Sequence, residues 1–174
     1  PDSGFLIPNF SGDGRIQGYQ VRFDHPNASI PKYGYLTSKG MRAGTKCETW
    51  CCWSGRNFAT DPTPNPFDVI LIEGPLKALI VNDITGCNVI SVPGVSALKK
   101  VPAALQSMVQ FGLREVLIAY DMDSDTNKDV RAQLERLREI LDNINIKHRT
   151  MRWDPAYKGL DDWLVGSKDA PYKR

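Results

Sequence analysis

Residues 67–78 read Phe67-Asp68-Val69-Ile70-Leu71-Ile72-Glu73-Gly74-Pro75-Leu76-Lys77-Ala78: an apolar run that stops at a carboxylate, a Gly-Pro step, and the start of a helical pattern. A run as apolar as Phe67 to Ile72 fits a strand buried on both faces. Pro75 stands where the first turn of a helix tolerates proline, Leu76, Leu79, Ile80 and Ile84 follow at helical spacing, and Gly86 ends the helix. Downstream the alternation repeats. Asn88 to Val92 reads as a second strand, Pro93-Gly94 as a turn, Ala97 to Phe111 as a second helix and Val116 to Tyr120 as a third strand. Val130, Leu134, Leu137, Leu141 and Ile144 give a long amphipathic third helix, and Ile146 to Trp153 a fourth strand. The expected product is α/β, a parallel four-stranded sheet flanked by helices on both faces.

Upstream the pattern is β-rich. Phe5-Leu6-Ile7-Pro8 reads as a strand, Gly12-Asp13-Gly14 as a turn and Ile16 to Phe23 as the returning strand. Tyr19, Val21 and Phe23 fall on one face of that strand, with Gln20 and Arg22 on the wet one. Further strands at about Gly34 to Thr37 and near Glu48 to Trp53 are expected to complete a small antiparallel sheet. Between the halves, Pro62, Pro64 and Pro66 forbid both helix and central strand. The expected organisation is a basic β-rich subdomain over 1–53, a linker over 54–66 and the α/β unit over 67–174.

At 174 residues, 41% hydrophobic and 24% charged, the chain is of ordinary globular composition, long enough for one large core or two small ones. The formal charge of +2 conceals a local excess: residues 12–46 carry Arg15, Arg22, Lys32, Lys39, Arg42 and Lys46 against Asp13 and Asp24. Such a stretch can track a phosphate backbone, or be a solvated face. There is no run of eighteen apolar residues and no basic-then-apolar leader, so no membrane span or export signal is read and a cytoplasmic setting is expected. Cys47, Cys51, Cys52 and Cys87 lack paired C-x-x-C spacing, and buried or free thiols are expected rather than zinc. A start at Pro1-Asp2 without methionine is what a piece of a longer protein is expected to show.

Two acidic clusters end hydrophobic strands: Glu73, and the Asp121-Met122-Asp123-Ser124-Asp125 run after Val116 to Tyr120. Ligands of open parallel sheets bind at the carboxyl ends of the strands, so acids at two such ends can share one crevice. Adjacent carboxylates repel by about 1 kcal/mol per pair in water and about 4 kcal/mol at an effective dielectric near 20, so something cationic must join them. Glu73, Asp121, Asp123 and Asp125 are hard oxygen donors suited to Mg²⁺ or Mn²⁺, which points to metal-dependent phosphoryl transfer. The other reading of D-x-D-x-D is a surface loop or a cap for the helix starting near Asn127, with Asp125 the first candidate for a cap alone.

Glu73-Gly74-Pro75-Leu76-Lys77-Ala78 followed by Asp121-Met122-Asp123 resembles the Toprim signature of bacterial-type DNA primases, type IA and II topoisomerases and certain small nucleases. Val92-Pro93-Gly94-Val95 lies where primases carry a Gly-containing turn. Lys158-Gly159-Leu160-Asp161-Asp162-Trp163-Leu164 resembles their later acidic segment, with Asp162 the matching acid and Asp161 a substitute for it or a cap. In the first half, Phe5-Leu6-Ile7-Pro8, Gly14-Arg15-Ile16-Gln17-Gly18-Tyr19-Gln20-Val21-Arg22, Pro31-Lys32-Tyr33 and Thr37-Ser38 resemble the basic subdomain that precedes Toprim in those primases. The spacing between Tyr33 and Thr37 is lengthened, no Pro-Glu-Thr follows, Cys47 to Trp53 has no counterpart, and Lys77 is unlike the chromosomal form. The likeness is therefore to a divergent phage or plasmid-type primase.

The resemblance implies a Toprim domain preceded by the small antiparallel subdomain, and template-directed synthesis of RNA primers from nucleoside triphosphates on single-stranded DNA, beside a replicative helicase. It implies catalysis by Glu73, Asp121 and Asp123, with Glu73, Asp121, Asp123, Asp125 and Asp162 around Mg²⁺ or Mn²⁺ ions that in polymerases stand about 3.5–4 Å apart. Arg15, Arg22, Lys32, Lys39 and Lys77 would hold template and nucleotide phosphates. Trp50, Trp53, Tyr33 and Tyr35 can stack on bases or belong to a core. A Toprim nuclease and a non-catalytic single-strand-binding replication module are the rival readings; 174 residues leave no room for a topoisomerase's cleavage domain.

Overall fold

The computed structural model describes residues 3–44, 51–122, 127–168 and 170. Strands β1 (Gly4–Phe10), β2 (Ile16–Phe23) and β3 (Tyr33–Tyr35) form an antiparallel sheet in that order. Pro8 sits inside β1 without cost because β1 has β2 as its one neighbour, so its missing N–H can face away from the ladder. Strands β4 (Cys52–Ser54), β5 (Phe67–Glu73), β6 (Asn88–Val92), β7 (Leu113–Ala119) and β8 (Lys147–Thr150) form a second sheet in the order β4-β6-β5-β7-β8. The four strands β5 to β8 run parallel, as their apolar runs demand.

The strand expected near Glu48 to Trp53 does not extend the small sheet. Residues 45–50 lie outside the described residues, while Cys52, Trp53 and Ser54 pair antiparallel with Ser91, Ile90 and Val89 and turn a four-stranded parallel sheet into a five-stranded mixed one. The cause is burial: all three residues of β4 are buried, and Trp53 packs its ring 5.1 Å from that of Phe58 and 6.3 Å from that of Phe67. A strand with that much apolar surface is more stable beside the larger core than on a thin, half-wet sheet.

Helices α1 (Pro75–Thr85), α2 (Val101–Val109), α3 (Lys128–Asn143) and α4 (Leu160–Gly166) cover both faces of the larger sheet. Leu105 and Met108 of α2 and Leu134, Leu137 and Leu141 of α3 meet Val69, Leu71 and Ile118 on one side. Ala78 and Val81 of α1 and Leu160 and Leu164 of α4 meet Ile70, Ile72 and Trp153 on the other. Helix α2 starts later than Ala97 because Pro102 can stand only in a first turn. Asn127 caps α3, its side-chain oxygen accepting from the backbone N–H of Asp129 at 3.0 Å and Val130 at 3.4 Å.

Residues 54–66 are packed against the larger sheet. Phe58 stacks on Phe111 at 4.4 Å, the Arg56 guanidinium donates to the Phe111 carbonyl at 2.9 Å, and the Arg56 N–H donates to the Asn88 side chain at 2.9 Å. Cys51 and Cys52 are buried free thiols; burial, reinforced by Cys52, pushes Cys51 up to about 12. Cys47 lies outside the described residues. Among the described residues no helix is long and apolar enough to cross a membrane.

Candidate active site

Glu73 closes β5, paired in register with Val92 of β6. The next residue, Gly74, has φ of +89°, a conformation strained for any residue with a β-carbon, and its N–H donates to the Val92 carbonyl at 2.7 Å. One residue thus converts strand into helix and keeps Glu73 and the first turn of α1 at the same edge of the sheet. Strand β7 lies beside β5 and ends at Ala119, two residues before Asp121. The Met122 N–H donates to the Lys158 carbonyl at 2.9 Å, which ties the Asp121 segment to the loop entering α4. Glu73 and Asp121 therefore face one cavity of about 580 Å³ at the carboxyl edge of the parallel sheet, shared with Asp161 and Asp162.

Asp121 is 8% exposed and is met by two cations. The Lys77 ammonium donates to its Oδ1 at 2.6 Å, and the Lys158 ammonium stands 3.8 Å from Oδ2. Lys77 also lies 4.0 Å from Asp161 Oδ1. Burial works against the Lys77 charge, but the hydrogen bond to Asp121 and the pull of Asp121, Asp161 and Glu73 outweigh it and hold the ammonium above its ordinary value. Asp161 goes the other way: burial raises its carboxyl, Lys77 opposes, and neighbouring Asp162 adds to the rise. Its buried Oδ1 has no hydrogen-bond partner. Asp162 accepts the Gly159 N–H at 3.2 Å and so closes the first turn of α4 while lining the cavity. A β-carbon at Gly159 would collide with Asp161 and approach Lys77 Nζ at 3.2 Å, so glycine lets the backbone wall these charges closely.

The opposite wall comes from the small sheet: Gln20, Lys32 and Tyr33 line the same cavity. Gln20 corrects the strand-face reading. It is 3% exposed, not wet, because that face of β2 closes over the crevice, and its buried Oε1 has no hydrogen-bond partner. Arg22 stands 5.4 Å over the Tyr33 ring and donates to the Phe23 carbonyl at 3.1 Å; Lys32 stands 5.8 Å from the same ring.

The fold thus brings Glu73, Asp121, Asp162, Lys32 and Lys77 into one crevice. Arg22 reaches its margin through Tyr33, whereas Arg15 pairs with Asp13 in the β1–β2 turn and Lys39 is an exposed loop residue, neither lining the cavity. Trp53 is core, and Asp123, Asp125 and Trp50 lie outside the described residues. Lys77 binds a carboxylate where a phosphate partner was expected. Lys158 and Gln20 were not anticipated; the one signal for Lys158 was its place beside Gly159 at the start of the acidic segment.

The donors present suit a hard divalent cation. Glu73, Asp121 and Asp161 offer carboxylate oxygens to one cavity, and the orphaned Asp161 oxygen is an acceptor awaiting a cation or donor. Among the described residues no three such groups form a finished ligand set.

A family model described as Domain of unknown function (DUF3854) matches residues 63–170. The chain belongs to this family. No curated protein matches the DUF3854 chain. Solved structures do: the Aquifex aeolicus primase (zinc-binding and RNA polymerase domains) aligns with a TM-score of 0.64 at 18% identity, over 92% of this chain and 36% of that one. A DnaG primase catalytic domain bound to ssDNA aligns at 0.62 and 17%, over 93% and 48%. The primase fragment of the bacteriophage T7 primase-helicase aligns at 0.58 and 18%, over 94% and 59%. The DUF3854 chain has the mixed α/β fold of DNA primase catalytic cores, and it spans between about a third and three fifths of the length of these relatives.

Proposed function

We propose that this chain is the catalytic core of a divergent, phage or plasmid-type Toprim primase, a nucleotidyltransferase that makes RNA primers from nucleoside triphosphates on single-stranded DNA. The observation that carries the reading is the two-walled crevice. Carboxylates from the ends of neighbouring parallel strands form one wall, and Lys32, Tyr33 and Gln20 from a basic sheet form the other. Likeness to a catalytic domain solved with ssDNA supports the template as partner, and likeness to a primase-helicase supports a helicase neighbour. In this reading the β1–β3 sheet is the basic subdomain, residues 55–66 the connection and 67–174, joined by β4, the Toprim domain, acting in the cytoplasm.

Glu73 and Asp121, with Asp123 and Asp125 from the adjoining segment and Asp162 opposite, would hold Mg²⁺ or Mn²⁺. Such an ion supplies charge neutralisation for a triphosphate and lowers the barrier for attack by a 3′-hydroxyl. Glu73 is the proton acceptor at that hydroxyl. Lys32 and Lys158 bind phosphate oxygens from opposite sides of the crevice, which the first turn of α1 also lines. Tyr33, buttressed by Arg22 and Lys32, is a face on which a template base stacks. Most interactions of this kind address the backbone, so base pairing rather than the protein reads sequence.

The deciding experiment incubates the protein with single-stranded DNA, labelled ribonucleotides and Mg²⁺ or Mn²⁺. Template-dependent RNA products support the primase reading, a shortened template replaces it with the nuclease reading, and binding without either product leaves a recruitment module.

A further inference from the structure

Among the described residues, the acids and lysines that line the crevice nearly balance without any ion. Glu73, Asp121, Asp161 and Asp162 face Lys77, Lys158 and Lys32, four formal negative charges against three positive. The tightest pair among them is Lys77 with Asp121 at 2.6 Å, on a carboxylate whose side chain is 11% exposed. A divalent ion that takes Asp121 Oδ1 has to displace that ammonium, since cation and ammonium repel strongly when both sit at bonding distance from one largely buried oxygen. The ammonium has somewhere to go. Asp161 Oδ1 is buried, makes no hydrogen bond and lies 4.0 Å from Lys77 Nζ, so a shift of about 1 Å gives it an ordinary hydrogen bond. The Gly159 backbone walls that side closely enough to exclude a side chain between the three groups.

We propose that Lys77 is a resident cation of this crevice that occupies Asp121 in the metal-free protein and passes to Asp161 when a divalent ion binds, so that Lys77 and Asp161 are positioning residues that set metal affinity. This rests on the metal-dependent reading above. The exchange explains two otherwise separate features: a lysine in the first turn of α1 paired with a carboxylate, and a buried carboxylate oxygen that has no hydrogen-bond partner although that lysine stands 4.0 Å away. The ammonium stays in the crevice throughout, because Asp121 trades it for the ion and Asp161 receives it.

Mn²⁺ titration of the full chain by calorimetry, without nucleotide or DNA, tests it in four variants. Lys77→Met removes the competitor and should bind Mn²⁺ at least tenfold more tightly than the parent, while Lys77→Arg, which keeps the cation, should stay within a few-fold of it. Asp161→Asn removes the receiving carboxylate and should weaken Mn²⁺ binding in the parent but have little effect in the Lys77→Met background. Equal affinity in parent and Lys77→Met overturns the competition while leaving the metal site standing. Equal weakening by Asp161→Asn in both backgrounds makes Asp161 a direct ligand and overturns the transfer. Absence of Mn²⁺ binding in every variant removes the metal-dependent reading itself, and this proposal with it. Because Lys77→Met can lower metal-free stability, its melting temperature is recorded with and without Mn²⁺; destabilisation that Mn²⁺ does not reverse counts against a resident cation.

Discussion

Asp121 concentrates the chemistry at the scale of single residues, a buried carboxylate with a lysine on each oxygen. Saturating Mn²⁺ should therefore stabilise the parent by about 2.7 kcal/mol at a hundredfold excess over its dissociation constant, and Asp121→Asn should abolish that gain. Thermal melts with and without Mn²⁺ read it directly; an unchanged melting temperature in the parent would count against the site. On the other wall, Lys32→Ala and Arg22→Ala should each weaken single-stranded DNA binding alike for unrelated sequences. The salt dependence should flatten by about 0.7 in slope for each phosphate that is no longer neutralised. Salt-dependent anisotropy titrations check this, and sequence-selective weakening would point to base recognition instead. Glu73, Asp121 and Lys32 were legible in the sequence because an acid ending a β-strand and a base after a proline have few structural reasons to be there. Gln20 was not. Alternation says that it shares a face with Arg22, but nothing local says that this face closes over a second wall.

Among the elements, the strand-to-helix turn at Glu73-Gly74-Pro75 positions the site. Gly74→Ala forces a β-carbon into φ of +89°, which should cost about 1–3 kcal/mol and displace Glu73 along with the first turn of α1. Urea unfolding measures the loss, and a variant as stable as the parent would show that the turn adapts. The parallel strands β5 to β8 and helices α1 and α3 were readable to within a few residues, because apolar runs and helical spacing are local signals and Gly86 and Asn127 mark boundaries chemically. The sheet that β4 joins was not readable, for the opposite reason. Three residues carry no period, and their partner, β6, lies more than thirty positions away. Proline spacing over 62–66 rules out regular structure there, yet it carries no information about Phe58 stacking on Phe111.

For the molecule as a whole, the small sheet is useful only if it is held at a fixed distance from the carboxylate edge, and residues 51–58 supply that fixation: the Phe58 N–H donates to the Gly12 carbonyl at 2.9 Å and the Cys52 thiol lies 3.8 Å from the Pro8 carbonyl, while β4 itself pairs with β6. Phe58→Ala should cost about 3–5 kcal/mol and lower single-stranded DNA affinity without touching any crevice residue, since it loosens one wall against the other. Chemical denaturation and DNA titration on the same sample test the coupling; a stability loss with unchanged affinity would make the two walls independent. The central claim is that the crevice between Glu73, Asp121 and the basic sheet performs metal-dependent primer synthesis. Its most direct measurement is RNA synthesis on single-stranded DNA with Mn²⁺ by the parent and by Glu73→Gln, with melting temperatures taken on the same preparations. The account predicts template-dependent product from the parent, a fall of about 10²–10⁴-fold in Glu73→Gln, and a stability change of about 1 kcal/mol or less. Undiminished synthesis by Glu73→Gln would contradict it.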